Sequence, residues 1–495
     1  MEINPSIFRE YDVRGVAGSS FSPEAIAEYE KWYGPFPGIT ITLDAAAAIG
    51  KAYGTFIRRA GGRRVVVGHE IRPFADELTN AFISGVRAVG VDIDDLGVSL
   101  TPVVYFNTAT AGVDGGVNVT GSHNVYFYNG FKMMGKDVAP IFGQALQEMR
   151  QMILAESFES VLTSGNYTKR DGYASYRDYV LKHIELVRKP KVVIDCGNGS
   201  AGLFAPEIFR ALGCEVIELF SEPDASFPNH MPDPEQPQYL TALVERVVSE
   251  KADLGIAFDA DGDRVGFVTE KGDFVDADLT LLVYAKDVLA RFPGKKILFD
   301  VKCSALLEEL IPQFGGVPLM HRTGHAPIKD TLRRDADIIF AGEVSGHFFF
   351  VEDYFRIDDG LYAAARLLEI FLRSNSPFSE LFVEFPKRVR TPELKLPCAD
   401  EAKFKIVAKI QQDLVPHYST VLIDGVRFRI GEHSWGLIRA SNTSPYLTVR
   451  AEAETEPELL HIKNIIADEL EKFPEITDHL NRTEVATLTG RLGWV

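Results

Sequence analysis

The chain reads as an α/β protein, with three related α/β domains followed by one antiparallel α+β domain. Its 495 residues are too many for a single core, and at roughly 100–150 residues per domain three or four are expected. Segments 64–68, 191–195 and 296–300 share one design: an apolar run leads into a polar or glycine turn and then a helical stretch. The C-terminal part departs from it. Two strand-like runs in 420–430 flank Asp424-Gly425, a two-residue hairpin signal, and 435–440 and 446–454 add two strands. Leu459, Leu460, Ile462, Ile465, Ile466 and Leu470 then fall at helical spacing. Boundaries are expected to give domains at 1–167, 168–275, 276–385 and 386–495.

Composition is that of a folded protein, 46% hydrophobic and 25% charged. A formal net charge of −18 argues against nucleic-acid or anionic-membrane binding, since either needs an extended basic face. Any phosphate chemistry then calls for a basic cleft in an acidic body. Cys196, Cys214, Cys303 and Cys398 form no CxxC pair and are expected to be reduced core thiols. The start of the chain lacks a basic, apolar leader and no apolar run is long enough to span a bilayer, so a cytoplasmic protein is expected.

In chain order, Phe8 to Gly15 suits a short edge strand. Residues 24–43 contain Trp32-Tyr33-Gly34-Pro35-Phe36-Pro37-Gly38, whose proline and glycine density excludes regular helix and marks a local insertion. Helical spacing resumes over 43–59, and the strand 64–68 leads into His69-Glu70-Ile71-Arg72-Pro73. Val117-Asn118-Val119 ends a short strand before Thr120-Gly121-Ser122-His123-Asn124. That loop exposes a hydroxyl beside an imidazole, with the ammonium of Lys132 further on. Alone, it reads equally as a surface turn.

Leu254–Phe258 reads as a buried strand running into Asp259, Asp261, Asp263 and Arg264. Three carboxylates at alternate positions repel one another unless a cation compensates them, which favours a hard-metal site over a solvated acidic turn. With Glu270 they have the spacing of an EF-hand, but Arg264 stands where that loop needs glycine, and 265–269 looks like a strand. A phosphatase with an aspartate nucleophile fits less well, because Gly262-Asp263 does not continue as Gly-Thr.

Two polar clusters follow. Arg322, Thr323, Gly324, His325 and Lys329 form one. Gly342-Glu343-Val344-Ser345-Gly346-His347 forms the other, where a carboxylate and a hydroxyl between glycines can read vicinal sugar hydroxyls. Arg439-Ala440-Ser441-Asn442-Thr443-Ser444-Pro445 with Arg450 offers guanidiniums and hydroxyls suited to a phosphate dianion, or a capped hairpin turn.

Taken in order, FREYDVRG, TGSHN with YNGFK, DADGDR, GEVSGH and RASNTS resemble the motifs of the α-D-phosphohexomutases, in their phosphomannomutase/phosphoglucomutase branch. The resemblance implies mixed sheets around a central cleft faced by Tyr11 and Arg14. It implies Ser122 as the phosphorylated residue, with Mg²⁺ held by Asp259, Asp261, Asp263 and a phosphate oxygen on Ser122. Glu343 and Ser345 would bind the sugar hydroxyls at C3 and C4, beside Arg322, Gly324 and His325. Arg439, Ser441, Asn442 and Thr443, with Arg450, would hold the phosphate that is not transferred. Lys132 and His347 would move protons, with His123, Arg264 and Arg14 supporting the phosphoryl group.

The implied activity interconverts hexose 1-phosphate and hexose 6-phosphate, of glucose or mannose, through a 1,6-bisphosphate. Glucose or mannose 1,6-bisphosphate would be the activator, and the protein a monomer or homodimer. A non-catalytic sugar-phosphate-binding relative and a mutase for amino-sugar phosphates are the alternatives. The chain departs from the family at Val125-Tyr126-Phe127, where proline and often an acidic residue are usual. Loss of proline's fixed φ predicts a less rigid serine loop. Val344 replaces a common methionine, and His69-Glu70 stands where an aspartate and serines are usual.

Overall fold

Each of the three expected β-to-α starts forms. Strand Arg64–His69 precedes helix Ala75–Ala88, Lys191–Asp195 precedes Ala205–Ala211, and Lys296–Asp300 precedes Leu306–Gln313 in a computed structural model that describes residues 3–33, 35–442 and 444–477. All three units share one topology. The first strand lies between the strand after its helix and a third strand, with both neighbours parallel to it. Arg64–His69 lies between Asp92–Val98 and Gly115–Val119. Lys191–Asp195 lies between Glu215–Leu219 and Leu254–Phe258, and Lys296–Asp300 between Val317–His321 and Ile338–Gly342.

The residues fall into two compact units, Met1–Ala277 with His325–Ala336 and Ser345–Leu381, and Asp278–Gly324 with Asp337–Val344 and Phe382–Val495. In the first, Tyr128–Gly135 adds antiparallel to Gly115–Val119, and an edge strand forms as Val13–Val16 only, starting five residues after Phe8 and ending one beyond Gly15. Val265–Thr269 likewise adds antiparallel to Leu254–Phe258. Helix Leu43–Arg59 starts at Thr42, whose side chain accepts the Ala45 N–H. It packs backbone to backbone on Ala75–Ala88: a Cβ on Gly85 would lie 2.0 Å from the Ala47 carbonyl oxygen.

The 32–38 segment is not wholly irregular. Helix Pro23–Tyr33 includes its first two residues, because proline at 35 restricts only itself and its predecessor. Gly34 lies outside the described residues.

In the second unit, the last sheet has the order Val389–Arg390, Tyr446–Ala453, Ser434–Ala440, Val426–Ile430, Ser419–Val421, antiparallel throughout. Helices Asp400–Leu414 and Glu456–Leu470 bury Ile406, Ile410, Ile462 and Ile466 against it. Asp424-Gly425 is not a two-residue hairpin. Strands Ser419–Val421 and Val426–Ile430 are joined by the four residues 422–425, widened where the Asp424 carboxylate turns to accept from Arg439 and the Thr323 N–H.

The four cysteines are buried and unpaired. No described helix is long and apolar enough to cross a membrane.

This topology positions the chemistry. TGSHN follows Gly115–Val119, DADGDR follows Leu254–Phe258, and Glu343 follows Ile338–Gly342. Each motif therefore leaves the carboxyl end of the third strand of its unit, the end where open α/β sheets place their ligand-binding loops.

Candidate active site

The serine loop is held through its backbone. Glu70, fully buried, accepts from the Gly121 N–H and, at 2.8 Å, from Arg72 Nε, and the Thr120 hydroxyl lies 2.7 Å from the same oxygen. Arg72 then donates to the carbonyls of Ser122, Asn124, Val125 and Tyr128. Gly121 is required beneath this fork, since a Cβ would lie 2.5 Å from Arg72 Cζ. Ser122 adopts φ +53°, a left-handed backbone uncommon outside glycine, and its hydroxyl lies 3.4 Å from both His123 Nδ1 and Asp259 Oδ2.

Asp259, Asp261 and Asp263 are fully buried and offer ligand atoms all within 4.8 Å of one another. Lys132 donates to Asp261 at 2.8 Å and to Asp263, and the Thr101 hydroxyl donates to Asp261 at 2.5 Å. Burial and its two neighbouring carboxylates push Asp259 well above the usual range. Burial alone would also raise Asp263, but Lys132 and His347 outweigh it and hold that carboxyl well below. The Oδ1 atom of Asp261 is buried and accepts no hydrogen bond among the described residues. An orphaned carboxylate oxygen within a triad of hard oxygen donors fits a divalent cation.

The same unit carries the imidazoles. His347 Nε2 lies 3.3 Å from Arg264 Nε and 3.4 Å from Asp263 Oδ1, and its Nδ1 lies 2.9 Å from Ser345 Oγ. His325 stacks on it at 6.0 Å and meets Tyr11 edge-on at 6.3 Å. Burial, with Lys329, Lys132 and His347 nearby, holds His325 well below its ordinary value, so it is a neutral imidazole at pH 7. Arg14 donates to the Thr120 carbonyl and to Asp12. The expected basic cleft is here a balanced one, because buried cations persist only beside carboxylates.

In the other unit, Glu343 is 2% exposed and accepts the Gly324 N–H at 2.7 Å. Arg322 is half-buried just before that glycine. Arg439 is paired with Asp424 at 3.0 Å, and Ser441 Oγ accepts the Ser444 N–H at 3.2 Å, beside half-buried Asn442. Thr443 lies outside the described residues. Arg450, opposite Leu437 and therefore on the same face of the sheet as Arg439, donates to Asp278 at 3.0 Å and to the Lys302 carbonyl at 2.7 Å.

Sequence reasoning passed over Glu70, Asp300 and Lys302. Asp300 accepts from Val344 N–H at 3.3 Å and the Thr323 hydroxyl at 2.9 Å, tying the two polar clusters together, and buried Lys302 pairs with Glu393 at 2.8 Å. Only their position was a signal: Asp300 ends and Glu70 directly follows the first strand of an α/β unit, and Lys302 lies two residues beyond one, while their partners are far away in sequence.

Comparison with known proteins agrees across the chain. Models described as phosphoglucomutase/phosphomannomutase alpha/beta/alpha domains I, II and III match residues 5–160, 174–272 and 276–389, and the C-terminal domain matches 393–469. The phosphomannomutase/phosphoglucomutase of Pseudomonas aeruginosa is 40% identical over 468 residues, covering 94% of this chain and 95% of that one. The phosphoglucomutase of Neisseria gonorrhoeae is 37% identical over 478 residues, covering 96% and 98%. A solved phosphoglucomutase/phosphomannomutase family protein from Burkholderia thailandensis superposes with a TM-score of 0.85 at 38% identity, over 97% of this chain and 99% of that one. With four domains matched in order and a serine loop packed against a triad of aspartates, this chain belongs to the phosphoglucomutase/phosphomannomutase family and is a hexose-phosphate mutase.

Proposed function

We propose that the enzyme interconverts the 1- and 6-phosphates of glucose, mannose or both, with Ser122 as phosphoryl carrier. The observation that carries this reading is the Ser122 hydroxyl 3.4 Å from Asp259, at the mouth of the three-aspartate cluster. Phosphoserine transfers its phosphoryl group to the free hydroxyl of the hexose phosphate: the P–O bond to Ser122 breaks, one to the sugar forms, and the hydroxyl proton leaves to a base. The resulting 1,6-bisphosphate turns around and returns its other phosphoryl group to Ser122. Glucose or mannose 1,6-bisphosphate is accordingly the activator.

Asp259, Asp261 and Asp263 would hold Mg²⁺, which when bound supplies Lewis-acid stabilisation to the phosphoryl oxygens. Arg264, His123 and Arg14 would stabilise the phosphoryl charge. Glu343 and Ser345, with Arg322, Gly324 and His325, would orient the sugar, and Arg439, Ser441, Asn442 and Thr443 would hold the phosphate that stays. Lys132 suits charge compensation better than proton transfer. Burial opposes its charge, but Asp261 and Asp263 outweigh burial and hold the ammonium above its ordinary value. His347, on Ser345, Arg264 and Asp263, is the better proton carrier.

Domain boundaries at 1–167, 168–275, 276–385 and 386–495, a cytoplasmic location and a monomeric or homodimeric state belong to the same reading.

A phosphorus NMR time course with Mg²⁺, a trace of glucose 1,6-bisphosphate and either glucose 1-phosphate or mannose 1-phosphate tests it. Appearance of the 6-phosphate is expected from at least one sugar. Ser122→Ala should lose turnover at least about a thousandfold. Conversion by Ser122→Ala at the wild-type rate would remove the carrier role.

A further inference from the structure

Two sequence features without a function, the 32–38 segment and Val125-Tyr126-Phe127, meet in one aromatic cluster. Val16, Tyr29 and Phe127 are its buried members, with Phe21, Phe36 and Tyr126 packed against them. Phe127 meets Phe21 at 5.3 Å and Tyr29 at 5.9 Å, both edge-on. Phe36 closes the set, 5.6 Å from Phe21 and 5.2 Å from Tyr29. The Tyr29 hydroxyl lies 2.9 Å from that of Tyr128, the residue that resumes the sheet after the serine loop.

The loop needs such support. Ser122 sits at φ +53°, a conformation a non-glycine residue keeps only when its surroundings impose it. Arg72 grips the loop carbonyls, but the trailing residues have no proline to fix their backbone, and the Val125 N–H donates to nothing among the described residues. The Phe127 carbonyl accepts the Ala17 N–H at 2.9 Å and the Val125 carbonyl the Tyr128 N–H at 3.0 Å, and side-chain burial adds to these, with Phe127 only 1% exposed. Edge-to-face aromatic contacts add to this burial and fix its geometry.

We propose that helix Pro23–Tyr33 and Phe36 form an aromatic buttress for the Ser122 loop, with Phe127 and Tyr29 as positioning residues for phosphoryl transfer. The inference rests on Ser122 as the phosphoryl carrier. Its consequence is a change in turnover and not in sugar-phosphate binding, since in-line transfer is sensitive to displacements near 1 Å whereas none of these side chains is among the proposed substrate-binding residues.

The test compares wild type, Phe127→Ala, Tyr29→Phe, Val125→Pro and the double variant Val125→Pro/Phe127→Ala in steady-state turnover, intact mass and thermal melts. Phe127→Ala should lower kcat by about tenfold or more while KM stays within about twofold, and Tyr29→Phe should do so to a smaller extent. Proline at 125 restores backbone restriction without removing a hydrogen bond. It should recover much of the lost kcat in the double variant and change wild-type kcat by less than about twofold. A merely structural role would lower the melting temperature without this rescue, and that outcome, or an unchanged kcat, overturns the buttress. Should Phe127→Ala not fold, half-buried Phe36→Ala takes its place with the same expectations. Wild-type protein that gains no phosphoryl mass after glucose 1,6-bisphosphate refutes the carrier reading itself. Phosphorylated wild type with unaffected variants refutes only the buttress.

Discussion

Lys132 sets its ammonium against Asp261, at 2.8 Å, and Asp263, so a residue of the serine-loop sheet neutralises part of the aspartate triad that faces that serine. A cation entering the triad competes with this ammonium. Lys132→Met should therefore destabilise the metal-free protein by about 3–5 kcal/mol, because it leaves buried carboxylates uncompensated. It should also enlarge the rise in melting temperature on adding Mg²⁺. An equal or smaller Mg²⁺-induced rise than in wild type would show that Lys132 and the cation do not share these oxygens.

Glu70 is expected to organise the serine loop through charge. Its carboxylate receives Arg72, the Gly121 N–H and the Thr120 hydroxyl on one oxygen. Glu70→Gln keeps the shape and removes the charge, at a cost of about 1.5–3 kcal/mol in unfolding free energy. Turnover should fall with it, whereas binding of a hexose phosphate measured by calorimetry should change little.

Gly121→Ala should be poorly tolerated for a steric reason. The new methyl would meet Arg72 Cζ and the Tyr128 carbonyl oxygen, each at 2.5 Å, and both are fixed groups. Overpacking of this kind costs about 1–3 kcal/mol. Denaturant unfolding and turnover on the purified variant check it, and wild-type values in both would mean that the fork can shift.

Asp359 gives the fold a specific acid dependence. It caps helix Gly360–Leu372 by accepting the Tyr362 N–H at 2.8 Å, with the Tyr176 hydroxyl 3.0 Å away. Burial nevertheless pushes its carboxyl up from 3.8 to about 6, against the opposing hydrogen bonds. The folded state then binds this proton more tightly than the unfolded chain. Stability from this group is present below about pH 4, falls as pH rises through 6, and is lower by at most about 3 kcal/mol above that. Urea unfolding between pH 4 and 7 should show this slope in wild type and lose it in Asp359→Asn.

The periodic and local features of this molecule were legible from the residues alone. Apolar runs ending in polar turns marked the first strand of each α/β unit, and the Asp259-Asp261-Asp263 alternation after an apolar strand marked a cation site, because both signals depend on neighbours in the chain. The resemblance to a mutase followed from motif order. Glu70 beneath Gly121 and Asp300 between Thr323 and Val344 were not legible, nor was Phe127 packed against Tyr29 and Phe21. Each of these pairings joins segments far apart in sequence, and only sheet order and burial bring them together. Arg450 shows the same division. Its guanidinium suits a phosphate by type, and only the fold shows that it donates to Asp278. Residue types and their spacing determined which chemistry this protein carries. The tertiary structure decided which partner each charged or aromatic group meets, because a buried charge or ring is stable only where the fold supplies its complement.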